Sequence, residues 1–222
     1  MPHFDKKFIE FFQDLTKNNN RDWFLANKKS YEQSVRQPFL SFVQELIDQI
    51  SDAEGPLPIE AKDVIFRLNR DIRFSKDKTP YKTHMAALVS AGGKKDKTTP
   101  GLYLQASAED LRIYSGAHML EKEQLQRVRS YIASHLTQFE KLISDKSFKG
   151  RFGQILGEKN KRLPPEFAEL EPKQPLIANK SFYFFAKFPP KTLLKPDLTK
   201  TVMDYYTSCK PVRDFFSKAL SG

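Results

Sequence analysis

Leu102-Tyr103-Leu104-Gln105-Ala106-Ser107-Ala108-Glu109-Asp110-Leu111-Arg112-Ile113-Tyr114-Ser115 alternates apolar and polar side chains on both sides of a short polar turn. A period of two marks a strand with one face buried. Ala108-Glu109-Asp110 is short enough to join two neighbours as an antiparallel hairpin. Leu102, Leu104, Ala106, Leu111 and Ile113 then share the inward face, and Tyr103, Gln105, Arg112 and Tyr114 the other. Working outward, Val64–Leu68 and Tyr81–Ser90 read as strands, with Gly92-Gly93 breaking the chain after them, and Phe182–Phe188 reads as a strand ended by Pro189-Pro190. The fold class expected is α+β: a mostly antiparallel sheet of about four to five strands flanked by N-terminal and C-terminal helices.

The flanking segments carry a helical period. Phe4, Phe8, Phe11, Phe12 and Leu15 fall on one face, and Lys17-Asn18-Asn19-Asn20 interrupts the pattern. A second helix starts at Trp23, Phe24, Tyr31 and Val35 and resumes after Pro38 at Phe39, Phe42, Val43, Leu46, Ile47 and Ile50. Pro38 either kinks one long helix or opens a new one at its first turn. The spacing predicts another helix over 121–143 and two more at about 197–208 and 211–220, while 144–180, rich in Lys, Gly and Pro, reads as a long surface excursion with one short helix. The N-terminal helices are too amphipathic to bury their own apolar face, so residues 1–222 are read as a single domain.

Composition narrows the class. Of the 222 residues 39% are hydrophobic and 19 are Phe, ample material for a packed interior. The single cysteine, Cys209, leaves no internal disulfide framework and no Cys-rich zinc site, which fits a reducing compartment. No run approaches the ~18 consecutive apolar residues of a membrane helix, and Met1-Pro2-His3-Phe4-Asp5 lacks a basic leader, so a cytoplasmic location without membrane partners is expected. The formal net charge is +10 and is unevenly placed: residues 61–100 hold 10 basic and 4 acidic side chains, whereas 1–60 hold 7 and 10. Any anionic partner therefore belongs to the middle and C-terminal parts.

The positive charge is densest in Arg67-Leu68-Asn69-Arg70-Asp71-Ile72-Arg73-Phe74-Ser75-Lys76-Asp77-Lys78-Thr79-Pro80-Tyr81-Lys82, three arginines and three lysines with two carboxylates. An extended backbone would put Arg67, Asn69, Asp71 and Arg73 on one face, and a helix would put Arg67, Arg70, Asp71, Phe74, Lys78 and Tyr81 on one stripe. Both arrangements gather arginines around Asp71. The candidate ligand-binding residues are Arg67, Arg70, Asp71, Arg73, Asp77, Lys78, Tyr81 and Lys82, joined by Asn27 and Lys28 as the wall of a polar pocket. Gly92–Lys97 reads as a mobile basic loop.

The pattern R-x-x-R-D-x-R-F-x-x-D-K-x-x-Y, filled by Arg67, Arg70, Asp71, Arg73, Phe74, Asp77, Lys78 and Tyr81, resembles the signature of domain of unknown function 2461, a bacterial family. Asn19, Arg21, Trp23, Phe24, Asn27, Lys28 and Tyr31 are similar to a second element of that family, N-x-R-x-W-F-x-x-N-K-x-x-Y. The Tyr103–Ser107 strand and the Pro211–Phe216 helix are similar as well, and the likeness covers almost the whole chain. Gly116-Ala117-His118 departs from a glycine triplet expected there. The resemblance implies a fold and no activity.

Three readings of the basic segment stand. In the first it lines a basic cleft that holds a phosphorylated ligand or nucleic acid through arginine forks and lysine charge, with Tyr81, Tyr103 and Tyr114 as stacking surfaces. In the second Asp71 and Asp77 carry a divalent metal, or a base beside Lys78 and Tyr81, for phosphodiester or phosphoryl chemistry. In the third Arg67, Arg70 and Arg73 pair with Asp71 and Asp77 and tie the N-terminal helices to the sheet. No phosphate-binding loop, nucleophile elbow, dinucleotide fingerprint or H-E-x-x-H is present, and His84 and His118 have no second His or Cys at ligand spacing. The sequence assigns no cofactor, metal or oligomeric state, and whether the protein is an enzyme stays open.

Overall fold

The computed structural model describes residues 1–95 and 99–221. Along the chain α1 (Lys6–Lys17), α2 (Arg21–Ala26), α3 (Lys28–Tyr31), a π-helical turn (Glu32–Arg36), α4 (Gln37–Glu54) and α5 (Ala61–Val64) precede β1 (His84–Val89), β2 (Leu102–Ser107) and β3 (Leu111–Ala117). Then come α6 (Lys122–Ser134), α7 (Leu136–Ser144), α8 (Lys146–Phe152), α9 (Pro165–Ala168), β4 (Phe182–Phe188), α10 (Leu198–Ser208) and α11 (Lys210–Ser221). The strands form one four-stranded antiparallel sheet in the order β1-β2-β3-β4. The fold is α+β with helices at both ends of the chain, as the hydrophobic periods require. Among the described residues no helix is long and apolar enough to cross a membrane.

The chain divides into two compact units, one of Met1–Lys94, Tyr103–Ile113 and Lys187–Met203, the other of Lys95–Leu102, Tyr114–Ala186 and Asp204–Gly222. In the first, Asp5 caps α1 by accepting the Lys7 N–H at 2.9 Å, and Asn20 caps α2 by accepting that of Trp23 at 3.0 Å. Each cap is worth roughly 1 kcal/mol. Phe8, Phe11, Phe12 and Leu15 of α1 are buried with Phe39, Phe42, Val43, Leu46, Ile47 and Ile50 of α4, and the Phe4 ring lies 4.6 Å from Phe8 and 5.5 Å from Phe42. Pro38 opens α4 at its first turn without a break, because the π-helical turn carries the helix into it. At the β2–β3 hairpin the Ser107 hydroxyl accepts the N–H groups of Glu109 and Asp110 at 3.1 and 3.0 Å and fixes the turn. Of the Gly92–Lys97 loop, Gly93–Lys95 forms a 3₁₀ turn, while Asp96 and Lys97 lie outside the described residues.

In the second unit Phe148 packs on Phe184 at 4.9 Å, Phe182 on Phe216 at 5.6 Å and Phe139 on Phe215 at 5.3 Å. Two expectations change here. The helix predicted over 121–143 breaks at His135, whose backbone leaves the helical region (φ −125°) as its ring turns back to stack on Tyr131 at 4.1 Å. The stretch 144–180 is not a surface excursion. It buries Phe148, Phe152, Phe167 and Ile177, and its Lys, Gly and Pro content hides these widely spaced apolar anchors. Arg129, 3% exposed, donates to the carbonyls of Ile177, Ala178 and Asn179 at 2.9, 3.4 and 3.1 Å, closing a 3₁₀ turn over Pro175–Ala178. Gly116 has φ +112°, and a Cβ there would run into the Phe182 carbonyl oxygen. That glycine serves the close approach of β3 to β4.

Candidate functional site

Residues 65–70 run antiparallel to 80–87, with Phe66 N–H donating to Ala86 O at 2.9 Å, Lys82 N–H to Leu68 O at 2.9 Å and Arg70 N–H to Pro80 O at 2.8 Å. They pair only through the bridges Ile65–Ala87 and Asn69–Tyr81. The 81–87 side carries two residues more than the 65–69 side between those bridges, so the register slips and no continuous ladder forms. The strand predicted at Val64–Leu68 is thus the end of α5 followed by an extended edge segment. Between the paired stretches, residues 71–79 leave the sheet as a loop.

That loop answers most of its own charge. Arg70 reaches the Asp77 carboxylate and the Thr79 hydroxyl, with Thr79 O at 3.3 Å and Ser75 Oγ at 3.4 Å. Arg73 forks onto Asp71 through Nε at 3.0 Å and Nη2 at 2.7 Å. The Lys78 ammonium donates to Ile72 O at 3.0 Å. Both carboxyls are held below the ordinary carboxylate range, Asp71 by the Arg73 side chain and backbone, Asp77 at about 2 by the Thr79 N–H and the Arg70 guanidinium. These pairs are local to the loop. The ties to the N-terminal helices come from Asn19, whose side chain pairs with the Tyr81 backbone, and from Phe24, which stacks on Tyr81 at 4.2 Å. Tyr81, read from the sequence as a stacking surface, is only 6% exposed and belongs to the packing.

Arg67 behaves differently. It is exposed and, among the described residues, has no hydrogen bond or ion pair. It lines a cavity of about 400 Å³ with Lys28, Arg36, Lys62 and Lys94, against one acid, Glu32. Phe24, Tyr31, Leu40, Phe66, Leu68 and Met85 give the cavity an apolar floor. Arg36 is paired with Glu32 at 3.2 Å, Lys62 with Glu60 at 2.6 Å, and Lys94 reaches Ile65 O at 3.4 Å. Lys28, like Arg67, has no such partner among the described residues. Asn27 turns away, its amide closing α2 on Trp23 O at 2.9 Å. Lys82 sits beside the cavity with its ammonium 5.5 Å from the Phe66 ring, and burial and Arg67 lower its pKa. Burial pushes the Tyr31 phenol up to about 12, so it is a neutral wall residue whose hydroxyl meets Met85 Sδ at 3.8 Å.

The helix supplies its side of the cavity through an irregularity. Lys28, Glu32, Arg36 and Leu40 recur every four residues and all line it. An α-helix turns about 100° per residue, so a strict four-residue stripe drifts around the axis by roughly 120° over twelve residues. The Glu32–Arg36 turn, closed by the Gln37 N–H on Glu32 O, is wider. It takes up much of that drift and keeps Arg36 and Leu40 on the side of Lys28. Arg36, Lys62 and Lys94 were missed in the sequence because they stand far apart in it, though the 28-32-36-40 spacing is legible once the helix is known.

A second polar cluster lies on the sheet. Asp110, 1% exposed, accepts Nε and Nη2 of Arg112 at 3.0 and 2.9 Å and lies 3.2 Å from Lys187 Nζ. Burial works against its ionisation, but Arg112 and Lys187 outweigh that and lower its pKa. Burial, with Lys82 and Arg112, holds His84 neutral with a pKa of about 4. Among the described residues no group of three or more His, Cys, Asp or Glu converges as a metal site.

The family described as a conserved hypothetical protein (DUF2461) matches residues 7–215. The chain belongs to this family. The match spans both elements that carried the resemblance, from Asn19 to Tyr31 and from Arg67 to Tyr81, so one DUF2461 chain supplies both the helix wall and the edge segment of the cavity. No curated protein matches it.

Proposed function

We propose that the protein binds a phosphorylated ligand, a small phosphate ester or the phosphate of a nucleic acid, in the cavity between Lys28 and Arg67. The carrying observation is the division of the arginines: Arg70 and Arg73 are held by Asp77 and Asp71, whereas Arg67 lines the cavity with no carboxylate paired to it among the described residues. A guanidinium fork opposite a lysine point charge suits phosphate. The apolar floor of Phe24, Phe66 and Met85 suits the organic part of such a ligand. This reading draws support over a metal-assisted one from Asp71 and Asp77 themselves, since both carboxylates already answer an arginine. The chain's +10 charge favours anion capture in general.

Calorimetric titration with inorganic pyrophosphate tests it. A charge-assisted hydrogen bond is worth about 1.5–3 kcal/mol, so Arg67→Ala and Lys28→Ala each lose roughly tenfold or more in affinity, while Arg73→Ala stays close to the parent. Absence of pyrophosphate binding, or an unaltered Arg67→Ala, sinks the proposal.

A further inference from the structure

Phe74 stands at the tip of the 71–79 loop and is 96% exposed. A phenyl ring held wholly in water is unfavourable, and a floppy loop would fold it down. This loop is braced instead. The Arg70 guanidinium ties Ser75, Asp77 and Thr79 together, the Thr79 N–H and hydroxyl both donate to Asp77 at 2.9 Å, and Lys78 and the Ser75 N–H both donate to Ile72 O, at 3.0 and 3.3 Å. Arg73 lies with its guanidinium 5.9 Å from the Phe74 ring centroid. Lys76 is exposed and, among the described residues, has no hydrogen bond or ion pair. The result is a pre-organised aromatic tip with Arg73 and Lys76 on either side of it in the chain, the arrangement in which little ordering entropy remains to be lost on binding.

We propose that this tip is a stacking finger for single-stranded nucleic acid, with an unpaired base on the Phe74 ring and Lys76 beside a flanking phosphate. The charge argues for a polyanion, and one ring among polar neighbours, Ser75, Asp77 and Thr79, offers little of the broad apolar face with which membrane-surface segments insert. Ring and cations side by side match a strand's alternation of base and phosphate. The finger is separate from the cavity of Arg67, and its ligand contacts a different set of side chains.

Because Phe74 packs on nothing else, Phe74→Ala leaves the thermal midpoint unchanged and isolates binding from folding. Fluorescence anisotropy with a labelled single-stranded oligonucleotide of mixed sequence gives a loss of roughly tenfold or more for Phe74→Ala. Phe74→Trp retains affinity, and Lys76→Ala lowers the slope of log affinity against log salt by about 0.7. The proposal is overturned if Phe74→Ala binds like the parent, if no strand binds, or if Phe74→Ala instead abolishes adhesion to phosphatidylglycerol vesicles with oligonucleotide affinity intact.

Discussion

The side-chain amide of Asn19 pairs with the backbone of Tyr81 in both directions, donating to its carbonyl at 2.9 Å and accepting its N–H at 3.1 Å. A side chain between two helices thus stands in for a missing strand at the edge of the sheet. Asn19→Ala strands a partly buried N–H and costs about 1–3 kcal/mol. Asn19→Asp keeps the acceptor and costs less. Urea unfolding checks both, with a lower midpoint and an unchanged m-value expected.

His84 sets a pH dependence. Its folded pKa of about 4 lies below the unfolded value of 6.5, so the native state refuses a proton that the unfolded chain accepts. Stability is therefore lost as pH falls from about 6.5 towards 4, by on the order of 2–3 kcal/mol before solvent screening. Burial is the main cause, joined by Lys82 and Arg112, with Asp110 opposing them. Unfolding measured at pH 7 and pH 5 gives a smaller difference for His84→Gln than for the parent, and equal differences would refute the assignment. Asp110 acts in a lower window. Its depressed pKa contributes stability above the unfolded carboxyl value, and that contribution is lost as pH falls through the folded one.

Two glycines separate in sign. Gly116→Ala forces a Cβ onto the Phe182 carbonyl at a φ of +112°, at a cost of about 2 kcal/mol or more. Gly150 lies within α8 with nothing near its Cβ position, and Gly150→Ala raises stability by up to about 1 kcal/mol. Opposite shifts of the thermal midpoint are the expected result.

Arg129→Met leaves the carbonyls of Ile177, Ala178 and Asn179 without their donor and costs about 3 kcal/mol. Arg129→Lys recovers part of this, since one ammonium cannot reach all three oxygens in the geometry of the guanidinium. Denaturant midpoints rank the parent above Lys and Lys above Met.

Local chemistry was legible in the sequence where it decides structure locally. The β2–β3 hairpin and β4 follow from alternation and turn residues, and their inward faces are the buried ones. The edge segment at 65–69 was not legible as a non-ladder, because the slip against 81–87 depends on pairing across the intervening loop. The break at His135 was hidden in the same way, since its apolar period continues through Phe139. The sequence gathered Arg67, Arg70 and Arg73 around Asp71 without apportioning them. Only the excursion of 71–79 from the sheet brings Asp77 to Arg70 and leaves Arg67 over the cavity. Arg36, Lys62 and Lys94 reach that cavity from three other parts of the chain.

The wide turn at Glu32–Arg36 makes the cavity sensitive to chain length as well as to side-chain identity. Deleting one residue there would restore regular winding and swing Lys28 out of line with Arg36 and Leu40, with Arg67 left in place on its own segment. Relatives that differ by a single-residue gap at this point would thus present a different constellation of cations to their ligands, while every residue quoted for the cavity still appeared in their sequences.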